Sequence, residues 1–151
     1  MKIAQVAPLF ESVPPKLYSG TERVVYYLTE ELVKSGHQVT LFASGDSNTN
    51  AQLISNIDNA LRLNPDYTDF IAHHIVQLQE VLERKDEFDI IHFHTDYIHF
   101  PFTENISVPH ITTLHGRLIY PTCNTYTISF LINRLFPYPT IKESLCHRQI
   151  L

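Results

Sequence analysis

Short apolar runs at residues 2–8 (KIAQVAP), 38–43 (QVTLFA), 89–93 (DIIHF) and 109–114 (PHITTL) alternate with longer stretches of helical spacing, and this alternation constrains the fold more than any other feature. Runs of this length, apolar throughout and closed by turn residues, fit strands buried on both faces of a parallel sheet. Parallel neighbours require crossover connections, so the stretches between the runs are read as helices lying on the sheet. The expected fold class is α/β, a Rossmann-like three-layer sandwich.

The first crossover helix is predicted over residues 19–35. Ser19, Gly20, Thr21 and Glu22 fit a capping box, with Ser19 accepting from the third helical amide and Glu22 reaching back. Val24, Val25, Leu28 and Leu32 recur at helical spacing, and Gly36 is placed to end the helix. A second amphipathic helix is predicted over residues 66–85, with Phe70, Ile71, Ile75, Leu78, Val81 and Leu82 as its apolar face. A short strand is placed around Leu53 and Ile54. The loop from Leu9 to Tyr18 contains Pro14 and Pro15 and is longer than the tight turn of a dinucleotide-binding fold. Beyond Arg117 the pattern lapses, leaving residues 1–117 as one domain and 118–151 as an unassigned tail.

Composition narrows the function. A chain of 151 residues fits one domain and supports a packed core without staples. Its formal charge of −5, with no local basic patch, argues against nucleic acid as a partner. No apolar run approaches the ~18 residues of a membrane span, and the start is too interrupted for a signal peptide, so a cytoplasmic, soluble protein is expected. Cys123 and Cys146 have no metal-type spacing.

Ligands of open α/β sheets bind at the carboxyl ends of the strands. Three predicted loops leave those ends: residues 10–20, 94–100 and 115–117. In the first, Gly20 opens a helix, where exposed backbone N–H groups and the helix dipole suit an anion; a plain turn and cap explain the same residues. In the second, His92 and His94 share one side of an extended chain, as a His-x-His metal pair requires, with Asp96 the nearby carboxylate. Nine histidines in the chain make chance pairs common, His73–His74 among them, and the third ligand of a metal-dependent hydrolase is lacking. In the third, His115 ends a strand and Gly116 lets the chain turn. His115 either faces the crevice or bonds to nearby backbone.

Taken in order, these segments resemble the amino-terminal domain of glycosyltransferase family 4. The similarity is carried by residues 2–8, by Tyr18-Ser19-Gly20-Thr21-Glu22-Arg23-Val24 opening a helix, by GHQVTLFA at 36–43, by FDIIHFH at 88–94 and by TTLHG at 112–116. The resemblance covers residues 1–117. It implies the amino-terminal half of a GT-B fold, a nucleoside-diphosphate-sugar donor, a hydroxyl acceptor, a retaining reaction and no metal or other cofactor. It further implies that Gly20, flanked by Ser19 and Thr21, lies in the family's glycine-rich loop near the donor diphosphate and the acceptor. By the same implication His115 lies near the transferred sugar as the residue bearing on catalysis, with Gly116 beside it, and His94 and Asp96 line the cleft. Ser19 stands where the family commonly has a second glycine. The basic pair and the glutamate motif of the family's second domain have no counterpart in Arg134, Lys142, Glu143 and Arg148. A missing carboxy-terminal GT-B domain is therefore expected, through truncation or frameshift, with an inactive remnant domain as the alternative function.

Overall fold

The computed structural model describes residues 1–103 and 106–115. Gly116 and the segment 118–151, including both cysteines, lie outside the described residues. Five strands form one wholly parallel sheet: β1 (Lys2–Val6), β2 (Gln38–Phe42), β3 (Gln52–Ile54), β4 (Ile90–Phe93) and β5 (His110–Thr112). Their order across the sheet is β3-β2-β1-β4-β5, with β1 at the centre. The chain winds outward one way through β2 and β3 and then returns past β1 to build β4 and β5. The strand order thus reverses at β1, and connections leaving the carboxyl ends of β1 and β4 diverge there.

Helix α1 (Gly20–Lys34) connects β1 to β2, α2 (Phe70–Glu83) precedes β4, and α3 (Phe100–Thr103) is a single turn between β4 and β5. Side chains alternate along each strand, so each face of the sheet receives its own set. Ala4, Val6, Phe42, Ile91 and Phe93 meet Leu78 and Val81 of α2. On the opposite side, Leu41, Ala7 and Ala43 meet Val25 of α1. Two helical layers enclosing a sheet make the three-layer sandwich expected from the sequence. No helix among the described residues is long and apolar enough to cross a membrane.

The helix ends and faces depart from the sequence reading in informative ways. Ser19 is the N-cap of α1 but makes no side-chain bond to the backbone. Its hydroxyl instead donates to the carboxylate of Glu22, so the capping box does not form. Glu22 is buried in the first turn, where the positive end of the helix dipole favours its charge. Gly36, at φ 84°, ends the helix as expected. The N–H of Gly36 donates to Val33 O and that of His37 to Leu32 O, the paired bonds of a Schellman motif. The buried stripe is Glu22, Val25 and Thr29, and Val24, expected inside, is exposed.

In α2, Asp69 caps the helix by accepting from Ala72 N–H at 3.0 Å. Its inward face is His74, Gln77, Leu78 and Val81, whereas Phe70, Ile71 and Ile75 are exposed. The reason is local hydrogen bonding. Gln77 Nε2 donates to the carbonyls of Ala7 and Phe42 at the ends of β1 and β2 (3.0 and 3.2 Å). His74 Nε2 accepts from Leu9 N–H at 3.1 Å, and its Nδ1 donates to Phe70 O at 2.7 Å. Strand ends leave backbone groups that must be paired when buried, and polar side chains on the inward helix face pair them.

Candidate functional site at the carboxyl edge of the sheet

The loop after β1 is fixed in place rather than simply draped over the sheet edge. Leu9, Glu11, Ser12 and Val13 are buried. Carbonyls of Leu9 and Phe10 accept from the amides of Leu61 and Arg62, and Val13 exchanges bonds with Ser47 and Asn48. Glu11 pairs with Arg62 at 3.2 Å, and the Arg62 guanidinium lies 5.9 Å from the Phe10 ring centre. At the end of β2, a side chain at Gly45 would meet the carbonyls of Ile57 and Asp58 at 2.8 and 2.9 Å, so the close passage of two backbones requires glycine there.

The strand β4 and its continuation distribute histidines to both faces. His92 and His94 fall on the α1 face, with Gln5 of β1 paired in register with His92. Their rings lie 4.0 Å apart between centres. His92 Nε2 shares a hydrogen bond with Thr113 Oγ1 at 2.8 Å. His94 uses both nitrogens: Nε2 bonds Gln5 Oε1 at 2.9 Å and Nδ1 bonds His115 Nε2 at 2.8 Å. On the α2 face, His99 stacks on Phe93 with ring centres 4.1 Å apart. His99 bonds Thr95 and Thr112 at 3.2 and 2.8 Å.

Burial decides the charge of these rings. His94 is pushed down to about 3, first by desolvation and then by the neighbouring His92 and His115. His99 is likewise lowered to about 3, by burial and then by His110. His92 is lowered by burial and by His115. Neutral imidazoles with fixed partners orient one another and the residues beyond them.

Asp96 adopts φ 50°, a left-handed conformation that aspartate tolerates better than most residues, and so turns the chain sharply after β4. Its Oδ1 accepts from the backbone N–H of His115 at 3.2 Å, joining the β4 and β5 loops. Of the residues selected from sequence, His94, Asp96 and His115 are thus joined in one cluster. Ser19, Gly20 and Thr21 open α1 at the same edge of the sheet, beyond β1, and form no hydrogen bond to that cluster among the described residues. A Cβ at Gly20 would meet nothing within 4 Å, so the chain approaches open space there. Gly116 falls outside the described residues.

The His-x-His geometry exists, with His92 Nε2 and both nitrogens of His94 held in side-chain hydrogen bonds. Among the described residues, no three His, Cys, Asp or Glu side chains are grouped to hold a metal ion. Sequence reasoning overlooked Gln5, His99 and the paired threonines. Gln5 is the one polar residue inside an otherwise apolar central strand, which is the signal that marks it.

The model of "Glycosyltransferase Family 4" matches residues 18–144. The chain belongs to this family. The match runs past Arg117, where the sequence pattern alone stops being readable. Among solved structures, the family-4 chain is similar to AviGT4, described as a glycosyltransferase involved in avilamycin A biosynthesis. The two share 25% identity with a TM-score of 0.53, over 76% of this chain and 32% of that one. The family-4 chain therefore spans about a third of the length of AviGT4, and its parallel sheet corresponds to one Rossmann-like half of a GT-B glycosyltransferase. No curated protein matches it.

Proposed function

We propose that this family-4 domain serves as the acceptor-side half of a glycosyltransferase. In this reading a sugar passes from a nucleoside-diphosphate sugar to a hydroxyl acceptor, with retention of anomeric configuration and without a metal. The observation carrying it is the joined cluster of His94, Asp96 and His115 at the carboxyl edge of a family-4 sheet. The departing diphosphate accumulates negative charge, and the N-terminus of α1 at Gly20 offers backbone N–H groups and a positive dipole to stabilise it. His115 hydrogen-bonds a sugar hydroxyl and orients it for transfer, and is not the nucleophile. Ser19 and Thr21 flank the diphosphate approach, and Gly116 is assigned to the substrate-binding residues beside His115.

The donor is assigned mainly to a second domain outside these 151 residues. Holding donor and acceptor together is worth about 7–11 kcal/mol when geometry is right, and one half of a two-domain cleft does not supply it. The 151-residue chain alone should give no transfer above background with a panel of UDP-, GDP- and ADP-sugars. Joined to a family-4 nucleotide-sugar-binding domain it should transfer, and His115→Ala should lower kcat/KM by about 10²-fold. Robust turnover by the 151 residues alone, lost in His115→Ala, would show the donor site to be complete here and would overturn the division of labour.

A further inference from the structure

Gln5 sits in the central strand, 1% exposed, with its side chain on the α1 face. A buried amide is costly unless bonded, and Gln5 Oε1 finds its partner in His94 Nε2. A carbonyl oxygen only accepts, so His94 carries its proton on Nε2. His94 is neutral, which leaves Nδ1 with a lone pair and makes it the acceptor of the 2.8 Å bond to His115. His115 Nε2 must then be the donor. In neutral His115 the remaining nitrogen, Nδ1, is a bare acceptor, and it makes no hydrogen bond among the described residues.

From this chain of donors and acceptors we infer that Gln5 and His94 are positioning residues. They hold the proton of His115 on Nε2 and offer its Nδ1 lone pair to a ligand hydroxyl at the carboxyl edge. The inference rests on the reading of His115 as the side chain that touches the sugar, and adds the polarity of that contact: the ligand donates and the protein accepts. A hydroxyl fits such a site; a carbonyl or phosphate oxygen facing Nδ1 does not. Asp96 reinforces the arrangement by holding the His115 backbone N–H, so that both backbone and ring are constrained.

The test is the nitrogen-15 spectrum of the histidine side chains in the full chain, recorded near pH 8. The expected result is protonated Nε2 and unprotonated Nδ1 at both His94 and His115. Gln5→Leu removes the acceptor, leaving an Nε2–H of His94 buried without a partner. The proton should then move to Nδ1 of His94, which donates to His115 Nε2 and drives His115 to the opposite tautomer. Gln5→Glu keeps an acceptor oxygen and should retain the wild-type pattern. A proton on Nδ1 of His94 in the wild type would overturn the inference, whether or not Gln5→Leu folds. So would a folded Gln5→Leu variant with an unchanged His115 spectrum. These results concern the relay alone. Unimpaired transfer by His115→Ala would instead strike at the proposed function and leave the tautomers as found.

Discussion

At its amino edge the sheet presents exposed polar groups bonded to their immediate neighbours. Lys2 N–H donates to Asp89 Oδ2 at 2.7 Å, and Lys2, His37, Gln38, Gln52 and Glu87 line a cavity of ≈ 580 Å³. At the carboxyl edge lie buried side chains tied by hydrogen bonds to other side chains of that edge. Gln5, His94 and His99 are each nearly inaccessible, and two of these three are histidines held neutral far below their ordinary titration range. This cavity and the committed chemistry therefore lie at opposite ends of the sheet. A cavity records room, whereas desolvated polar groups in fixed mutual geometry record a cost that the fold sustains for orientation.

The contrast is sharpest along β4, whose two ends can be tested separately. Phe93, fully buried at the carboxyl end, packs in the core beneath α2 and supports His99. Phe93→Ala should destabilise the chain by about 3–5 kcal/mol, read from urea unfolding midpoints. A loss below about 1 kcal/mol would mean that this end of the sheet is loosely packed and that the histidine network is not held by the core.

Acid should discriminate next. His94 and His99 are neutral in the folded chain down to about 3, whereas in the unfolded chain they protonate near 6.5. The unfolded state thus binds more protons below pH 6.5, and stability falls as pH drops through that window. Between pH 7.5 and 5 each histidine should contribute a loss on the order of 2 kcal/mol. The pH dependence should flatten in a His94→Gln, His99→Gln double variant. A wild-type stability flat over that range would show that these rings are not buried in neutral form.

The smallest effect belongs to the amino end. Asp89, exposed beside Lys2, makes one hydrogen bond to a surface amide. Asp89→Asn should change stability by no more than about 0.5 kcal/mol in the same urea assay. A loss rivalling that of Phe93→Ala would erase the distinction between the two edges.

The strands were legible in the sequence because an apolar run buried on both faces has few other readings, and all four named runs lie in one parallel sheet. Their ends were read one or two residues too long, as with residues 109–114 against His110–Thr112. The helix faces were harder. The template expects apolar residues inward, but α2 turns His74 and Gln77 inward to pair the backbone of Leu9, Ala7 and Phe42. Those partners are 35 to 70 residues away in the chain, and no local period reveals them. The same limit hid most of the carboxyl-edge site. His94, Asp96 and His115 were recognisable as strand-end residues, whereas the bonds from Gln5 and to Thr113 and Thr112 depend on which strands become neighbours. The dual character of β4 was visible only as alternation: His92 and His94 on one face, Ile91 and Phe93 on the other.

The most direct test sets one edge against the other in the proposed two-domain enzyme, by measuring kcat/KM for sugar transfer in His115→Ala and in a Gln38→Ala, Gln52→Ala double variant. Gln38 and Gln52 begin β2 and β3 beside the amino-edge cavity. If the carboxyl edge is the site, His115→Ala loses about 10²-fold and the glutamine variant stays within about 2-fold of wild type. A large loss in the glutamine variant with His115→Ala fully active would place substrate at the amino edge and contradict the account.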